Sequence, residues 1–241
     1  MRTSLFILTS FLLFSSCVLK KGNLLLTEKE NEIIATQSIK DYMKLFSNPS
    51  IVLKAPNSEN KTTQADPNSY IYNAIEKELL IAGFDVKDRG LFNEVVGKSK
   101  EINYEEIRTL TGTDLILELV NVSTKLEFVT NKYYKADGRE SIAPYTYKVY
   151  GAVIEFKLII IQNNQYAGSY LFYYTPCSKI TEDCGCKVLY KDFPSKVYPY
   201  LNPCTIDMSP NRTSFEYVSQ DAMVEFVRNG VKQMINEIKN K

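Results

Sequence analysis

YTYKVYGAVIEFKLIIIQNNQYAGSYLFYY, residues 145–174, specifies secondary structure more clearly than any other part of the chain. Its two arms, Tyr145 to Ile161 and Gln165 to Tyr174, are rich in β-branched and aromatic residues, which favour strands. Gln162-Asn163-Asn164 lies between them, and short asparagine-rich turns favour antiparallel hairpins. The stretch therefore predicts an antiparallel strand pair.

Upstream segments add further strands. Ser50 to Lys54 predicts a short strand closed by Pro56, and Phe84 to Lys87 alternates as a strand does. Leu115 to Val120 is apolar enough to lie inside a sheet. Asn57 to Asn68 has no apolar period and predicts a loop.

Helical patterns surround these strands. Thr27 to Glu30 matches a capping box, which predicts a helix running to Phe46. From Ser69, apolar residues recur on one helical face up to Gly83, which stands where a C-terminal glycine belongs. The remaining predicted helices are two brief ones ended by Gly97 and Gly112, and a last one from about Tyr217 to Lys239.

This order of elements predicts an α/β (α+β) fold, a mixed sheet flanked by helices in a single domain. It does not predict a doubly wound nucleotide-binding domain, since the chain has no glycine-rich phosphate loop. Gly112-Thr113-Asp114 is a turn from helix to strand.

Composition narrows the function classes. The chain carries a formal net charge of +1, which argues against nucleic acid as a partner because phosphate binding needs a concentrated basic face. It contains no histidine, so Ser-His-Asp and Cys-His nucleophiles and histidine-based zinc sites are excluded. No cofactor is expected.

The N-terminal segment has the layout of an export signal. Arg2 precedes an apolar stretch from Leu5 to Leu13, too short to span a bilayer stably, and Ser15-Ser16-Cys17 follows. The pattern is typical of a bacterial lipoprotein signal cut before Cys17, whose thiol and new amine would be acylated, for example with palmitate. An uncleaved anchor or a signal without lipid is the alternative.

The other four cysteines lie close together in sequence. They are Cys177, Cys184, Cys186 and Cys204. An even number in an oxidising compartment indicates two disulfides, with three pairings open. Zinc knuckles need Cys-x2-Cys pairs, which this spacing lacks. The four residues are therefore expected to staple one irregular insertion, at about residues 176–210.

Asp88-Arg89-Gly90-Leu91, with Glu94 just downstream, follows a short predicted strand. The stretch from Ile51 through Val122 resembles the CsgG-like family of bacterial surface lipoproteins, of the curli production and assembly type. With the N-terminal pattern this predicts a signal peptide (1–16), a lipidated tether with an N-terminal helix (17–49) and, by the resemblance, a CsgG-like α/β domain (50–241). The alternative for Arg89 is a structural role, in which its guanidinium binds helix C-terminal carbonyls or Asp88.

The family includes an outer-membrane secretion channel whose subunits each contribute β-hairpins to a shared pore. The resemblance implies hairpins near residues 123–150 and 176–210. The arm Tyr145 to Gly151 alternates as a lipid-facing strand would, whereas Thr130 and Lys132 suit lipid poorly. The prolines and cysteines of the second region favour a disulfide-bonded insertion that stays outside the membrane.

Three function classes follow. The leading one is a non-enzymatic, CsgG-like lipoprotein for the export or assembly of cell-surface protein. We expect it in the cell envelope, at the outer membrane and facing the periplasm. Its partners would be the membrane, envelope or secreted proteins, and further copies of itself. The alternatives are an oligomeric secretion channel and an envelope enzyme. Enzyme candidates are the carboxylates Asp114, Glu118 and Glu155, and candidate contact residues are Tyr133, Tyr134, Tyr145, Tyr147, Tyr198 and Tyr200.

Overall fold

The computed structural model describes residues 18–56, 68–98, 104–176, 186–192, 196–199, 214–215 and 218–239. This part of the chain forms one ten-stranded mixed sheet with helices, which confirms the predicted fold class. The helices are α1 (Gln37–Leu45), α2 (Ser69–Ile81), α3 (Arg89–Lys98), α4 (Tyr104–Thr111) and α5 (Gln220–Lys239). The strands are β1 (Lys20–Leu24), β2 (Glu32–Ala35), β3 (Ser50–Lys54), β4 (Asp85–Val86), β5 (Leu115–Tyr134), β6 (Glu140–Ile160), β7 (Gln165–Tyr174), β8 (Lys187–Lys191), β9 (Lys196–Pro199) and β10 (Ser214–Phe215).

Two long antiparallel strands, β5 and β6, form the centre of the sheet. They pair from Leu115 opposite Ile160 to Tyr134 opposite Glu140, with three register irregularities. The predicted hairpin between β6 and β7 is confirmed, and Asn164 at its turn adopts the left-handed conformation with φ 46°. β5 runs fourteen residues beyond the predicted end at Val120, because β6 and then β1 pair with its continuation.

The sheet order is β2-β7-β6-β5-β1-β8-β9. β3 lies parallel to both β4 and β5, and β10 lies parallel to β6, so the sheet is mixed. The predicted glycine ends of α2 and α4 are confirmed, since Gly83 and Gly112 have φ of 87° and 63°. α3 instead continues past Gly97 to Lys98.

The N-terminal region differs from its prediction. The helix predicted from Thr27 to Phe46 is confined to α1, and the residues before it form β2. Residues expected to be a short tether contain β1, which pairs with β5 and β8. In both places pairing with a distant strand outweighs a local helical or polar pattern. Sheet hydrogen bonds satisfy backbone groups on both sides of β1 and on one side of β2.

Strand β6 contributes side chains to three hydrophobic cores, because its alternate residues face opposite sides of the sheet. Ile154, Phe156 and Leu158 belong to the main core beneath α2 and α5. On the other face, Ile159 packs with Phe92 of α3 and Ile107 of α4. Tyr147 and Val149 lie on that same face at the far end and form a third core with β1, β8 and β9.

We call this far end the distal lobe, comprising β1, β8, β9, residues 126–134 of β5 and residues 140–150 of β6. Its core contains Leu24, Tyr133, Ala143, Tyr147, Val149, Cys186, Val188, Tyr190 and Val197. The Tyr190 hydroxyl accepts a hydrogen bond from the backbone N–H of Ala136 at 2.9 Å, and Tyr147 donates to the Val197 carbonyl at 3.4 Å. The tip of the long strand pair is thus bound into the lobe.

Candidate functional site

Asp88 begins helix α3 through its side chain. Its Oδ1 accepts a hydrogen bond from the Leu91 backbone N–H at 2.6 Å, as an N-terminal capping residue does. A β-carbon at Gly90 would lie 3.1 Å from that same oxygen, so glycine leaves the cap undisturbed. Glu94 lies exposed on the following turn of α3. The Asp88-Arg89-Gly90 motif is therefore used to start a helix.

Arg89 joins α3 to α2. Its guanidinium lies 4.7 Å from the centre of the Tyr72 ring, and its Nε is 3.8 Å from Glu76 Oε1. The contacts expected with Asp88 or with helix C-terminal carbonyls are replaced by this contact with α2, because the guanidinium lies over an aromatic face. Burial raises the pKa of Glu76, and Asp88 adds to the rise, while Arg89 opposes it.

Cys186 takes part in a disulfide and is buried in the core of the distal lobe, with 4% of its surface exposed. Cys17, Cys177, Cys184 and Cys204 lie outside the described residues. The pairing and the stapled insertion therefore remain predictions. The insertion is not wholly irregular, however, since β8 and β9 within it form an antiparallel pair.

The three candidate carboxylates lie in two places. Asp114 is held at the start of β5, where Oδ2 accepts hydrogen bonds from the Ser50 hydroxyl at 2.6 Å and the Ser50 N–H at 3.1 Å. Glu118 pairs with Lys54 at 2.7 Å. Lys157 of β6 lies directly opposite Glu118. Glu155 is two residues before Lys157 on the same strand, so it lies on the same face of the sheet as Glu118.

Lysines therefore alternate with the carboxylates on this face of the sheet. Lys54 lies beside Glu118 on β3, and Lys157 lies across from it on β6. Alternating charges on neighbouring strands stabilise a sheet surface, which accounts for these residues without catalysis. Within the described part of the chain, no group of three or more Cys, Asp or Glu side chains is placed to hold a metal ion.

The first hairpin candidate, residues 123–150, forms part of the β5–β6 pair. Its second arm alternates as predicted, but the buried side chains Tyr147 and Val149 face the distal-lobe core. The opposite face carries the ion pairs Glu127–Lys148 at 3.2 Å and Lys132–Glu140 at 3.1 Å. No helix among the described residues has the length and apolarity needed to cross a bilayer.

The second hairpin candidate, residues 176–210, lies mostly outside the described residues. Its described strands are short, since β8 has five residues and β9 has four. A membrane-crossing strand needs about 9–11 residues. In the distal lobe, β8 pairs with β9 on one side and with β1 on the other.

The fold creates a basic surface that the overall charge does not reveal. β1, β8 and β9 are neighbours in the sheet and contain five basic residues and no acidic one, namely Lys20, Lys21, Lys187, Lys191 and Lys196. Lys191 lies directly opposite Lys196. The two Lys-rich segments are more than 160 residues apart, so only the sheet pairing brings them together.

No protein-family model and no curated protein matches the chain. The resemblance to the CsgG-like family therefore stays a prediction from the residues quoted for it. Among the described residues, those of the distal lobe bear most directly on function, because β1, which follows Cys17, forms part of the basic surface there.

Proposed function

We propose that the protein is a membrane-anchored bacterial lipoprotein that acts as a non-enzymatic, CsgG-like component in the export or assembly of cell-surface protein. One observation carries the proposal: β1 begins at Lys20, three residues after Cys17, and pairs with strands on both of its sides. Three extended residues span at most about 10 Å. A lipid on Cys17 would hold the distal lobe directly at the membrane.

The rest of the molecule supports a role in protein contacts. Strands β5 and β6 run from the distal lobe into the part of the sheet that the helices cover. That part would therefore lie at a fixed position relative to an anchored lobe. Exposed apolar side chains remain at the ends of three helices: Leu45 of α1, Leu80 and Ile81 of α2, and Leu110 of α4. A contact with an envelope or secreted protein would remove these side chains from water.

The proposal is tested by labelling cells with an alkynyl palmitate and separating their membranes. The unmodified chain should be labelled and sediment with membranes, and Cys17→Ser should lose the label. Ser15→Ala, a small substitution in the same signal, serves as the matched control and should keep it. An unlabelled chain, or a label that survives Cys17→Ser, would contradict lipidation.

The export role needs a separate measurement. Surface proteins of cells carrying the unmodified gene are compared with those of a deletion strain and of the Cys17→Ser strain. Loss of particular surface proteins in both mutant strains, with their synthesis unchanged, supports the role. An unaltered surface composition contradicts it.

A subunit of an oligomeric outer-membrane secretion channel is the second candidate, and the length of the β5–β6 pair favours it. These strands have 20 and 21 residues, ample for a membrane crossing. The ion pairs on the exposed face of the 123–150 region oppose it, since a charge at mid-bilayer costs about 2–4 kcal/mol. Detergent-resistant rings isolated from membranes would decide for the channel, and a monodisperse monomer would decide against it.

A further inference from the structure

The outer surface of the distal lobe contains a like-charged pair where β8 ends and the edge strand β9 begins. Lys191 of β8 and Lys196 of β9 lie directly opposite each other in an antiparallel register. Like charges in this position destabilise a sheet. The repulsion between the two lysines therefore opposes folding of this strand pair, whereas an anionic surface bound outside the sheet would be attracted to both ammonium groups.

The surrounding residues extend the positive surface. Lys21 and Lys187 project to the same side as Lys191 and Lys196, since they occupy alternate positions on paired strands. At the edge, Lys20 binds Asp192 at 2.5 Å, and Lys135 lies 3.9 Å from the same carboxylate. Arg139 pairs with Asp137. The strands β1, β8 and β9 thus present four lysines on this side and contain no acidic residue, while Lys20, Lys135 and Arg139 are paired with the two aspartates at the edge.

Apolar and aromatic side chains lie among these charges. Tyr198 of β9 is 42% exposed and stands opposite Leu189. Val18 and Leu19, which lead into β1, are 67% and 43% exposed. Tyrosine and lysine favour the headgroup layer of a bilayer, because an apolar body lies inward and a polar end stays in water.

We propose that this surface, formed by β1, β8 and β9, binds an anionic phospholipid bilayer and turns the distal lobe toward the membrane. The orientation rests on the lipid anchor proposed above, since one chain alone holds a protein only marginally and a basic patch supplies a second attachment. The position of Cys17 favours lipid over nucleic acid as the source of phosphate. Cys17 is three residues before Lys20, and Lys20 binds Asp192, which follows Lys191 in the chain. The residue proposed to carry the lipid is therefore close in the chain to the basic surface.

The test uses the chain with Cys17→Ser, so that no acyl group contributes. Vesicles of phosphatidylcholine, with and without phosphatidylglycerol, are sedimented with this protein at low and high salt. Binding is expected only with phosphatidylglycerol, weakening as salt rises. Lys191→Glu with Lys196→Glu should bind at least about tenfold more weakly.

Lys44→Glu with Lys77→Glu, on exposed positions of α1 and α2, is the matched control and should bind as the parent does. Equal binding to neutral vesicles, or equal losses in both double variants, would overturn the proposal. So would binding to a single-stranded oligonucleotide without binding to vesicles. Because the parent carries no lipid, these results are independent of whether Cys17 is acylated in cells.

Discussion

Ser50, the first residue of β3, and Asp114, the residue before β5, join these two parallel strands through reciprocal hydrogen bonds. The Ser50 hydroxyl donates to Asp114 Oδ2 at 2.6 Å and accepts from the Asp114 backbone N–H at 2.9 Å. Ser50 is buried, and Arg108 Nε lies 3.7 Å from the other carboxylate oxygen. Asp114, considered above as a catalytic carboxylate, is therefore placed to fix the register of β3 and β5.

Ser50→Ala should lower the free energy of unfolding by about 1–3 kcal/mol, because it removes a buried hydrogen bond to a charged group. Urea denaturation measures the change. Ser169→Ala, a half-buried serine on β7, is the control and should change stability by less than about 0.5 kcal/mol. Equal effects of the two substitutions would contradict the structural role of Ser50.

Gly151 allows three parts of the sheet to approach one another. A β-carbon there would overlap the Tyr174 carbonyl oxygen and lie 2.5 Å from Phe128 Cε2. Gly151→Ala should therefore destabilise the fold by about 3 kcal/mol, since the backbone of a neighbouring strand must move. The thermal midpoint measures the loss.

Gly138→Ala provides a contrast, because that glycine has φ 80° but open space around its Cα. It should cost only the conformational strain, about 1–2 kcal/mol. A smaller loss for Gly151→Ala than for Gly138→Ala would contradict the close approach of the strands.

Glu76 makes stability depend on pH. Burial raises the pKa of this carboxyl above its ordinary value of 4.5, so the folded state holds the proton more tightly than the unfolded state does. Its contribution is fully present below pH 4.5 and is lost as pH rises through the raised folded pKa. Glu76→Gln removes this loss and should flatten the stability curve between pH 4.5 and neutrality.

Urea denaturation at several pH values measures this difference. Glu28→Gln, at an exposed position before β2, is the control and should leave the curve unchanged. A Glu76→Gln variant that becomes less stable than the parent only as pH rises would reverse the sign and contradict the effect of burial.

Tyr170 places a buried hydroxyl beneath the helices without a hydrogen-bond partner among the described residues. Burial also raises the pKa of this phenol. Tyr170→Phe should stabilise the protein by about 1 kcal/mol, because it removes a desolvated polar atom. Tyr190→Phe should do the opposite, since the Tyr190 hydroxyl binds Ala136. Destabilisation by Tyr170→Phe would contradict an unpartnered hydroxyl.

Local patterns predicted the parts of the fold that depend on neighbouring residues. The β6–β7 turn and the glycine ends of α2 and α4 follow from short-range conformational preferences. β1 and β2 were not predicted, because β8 and β7, with which they pair, lie more than 130 residues away in sequence. The net charge of +1 likewise concealed the basic surface, since acidic residues elsewhere balance the lysines.

The absence of tryptophan from the chain allows the central claim to be measured with one introduced fluorophore. Tyr198→Trp places it on the distal lobe, and Tyr166→Trp places it at a similarly exposed position, 46% against 42%, at the opposite end of the sheet. The acylated protein is reconstituted into anionic vesicles containing brominated lipid, which quenches nearby tryptophan. Strong quenching of Trp at position 198 and little at 166 is the predicted result; equal quenching, or stronger quenching at 166, would contradict a membrane-facing distal lobe.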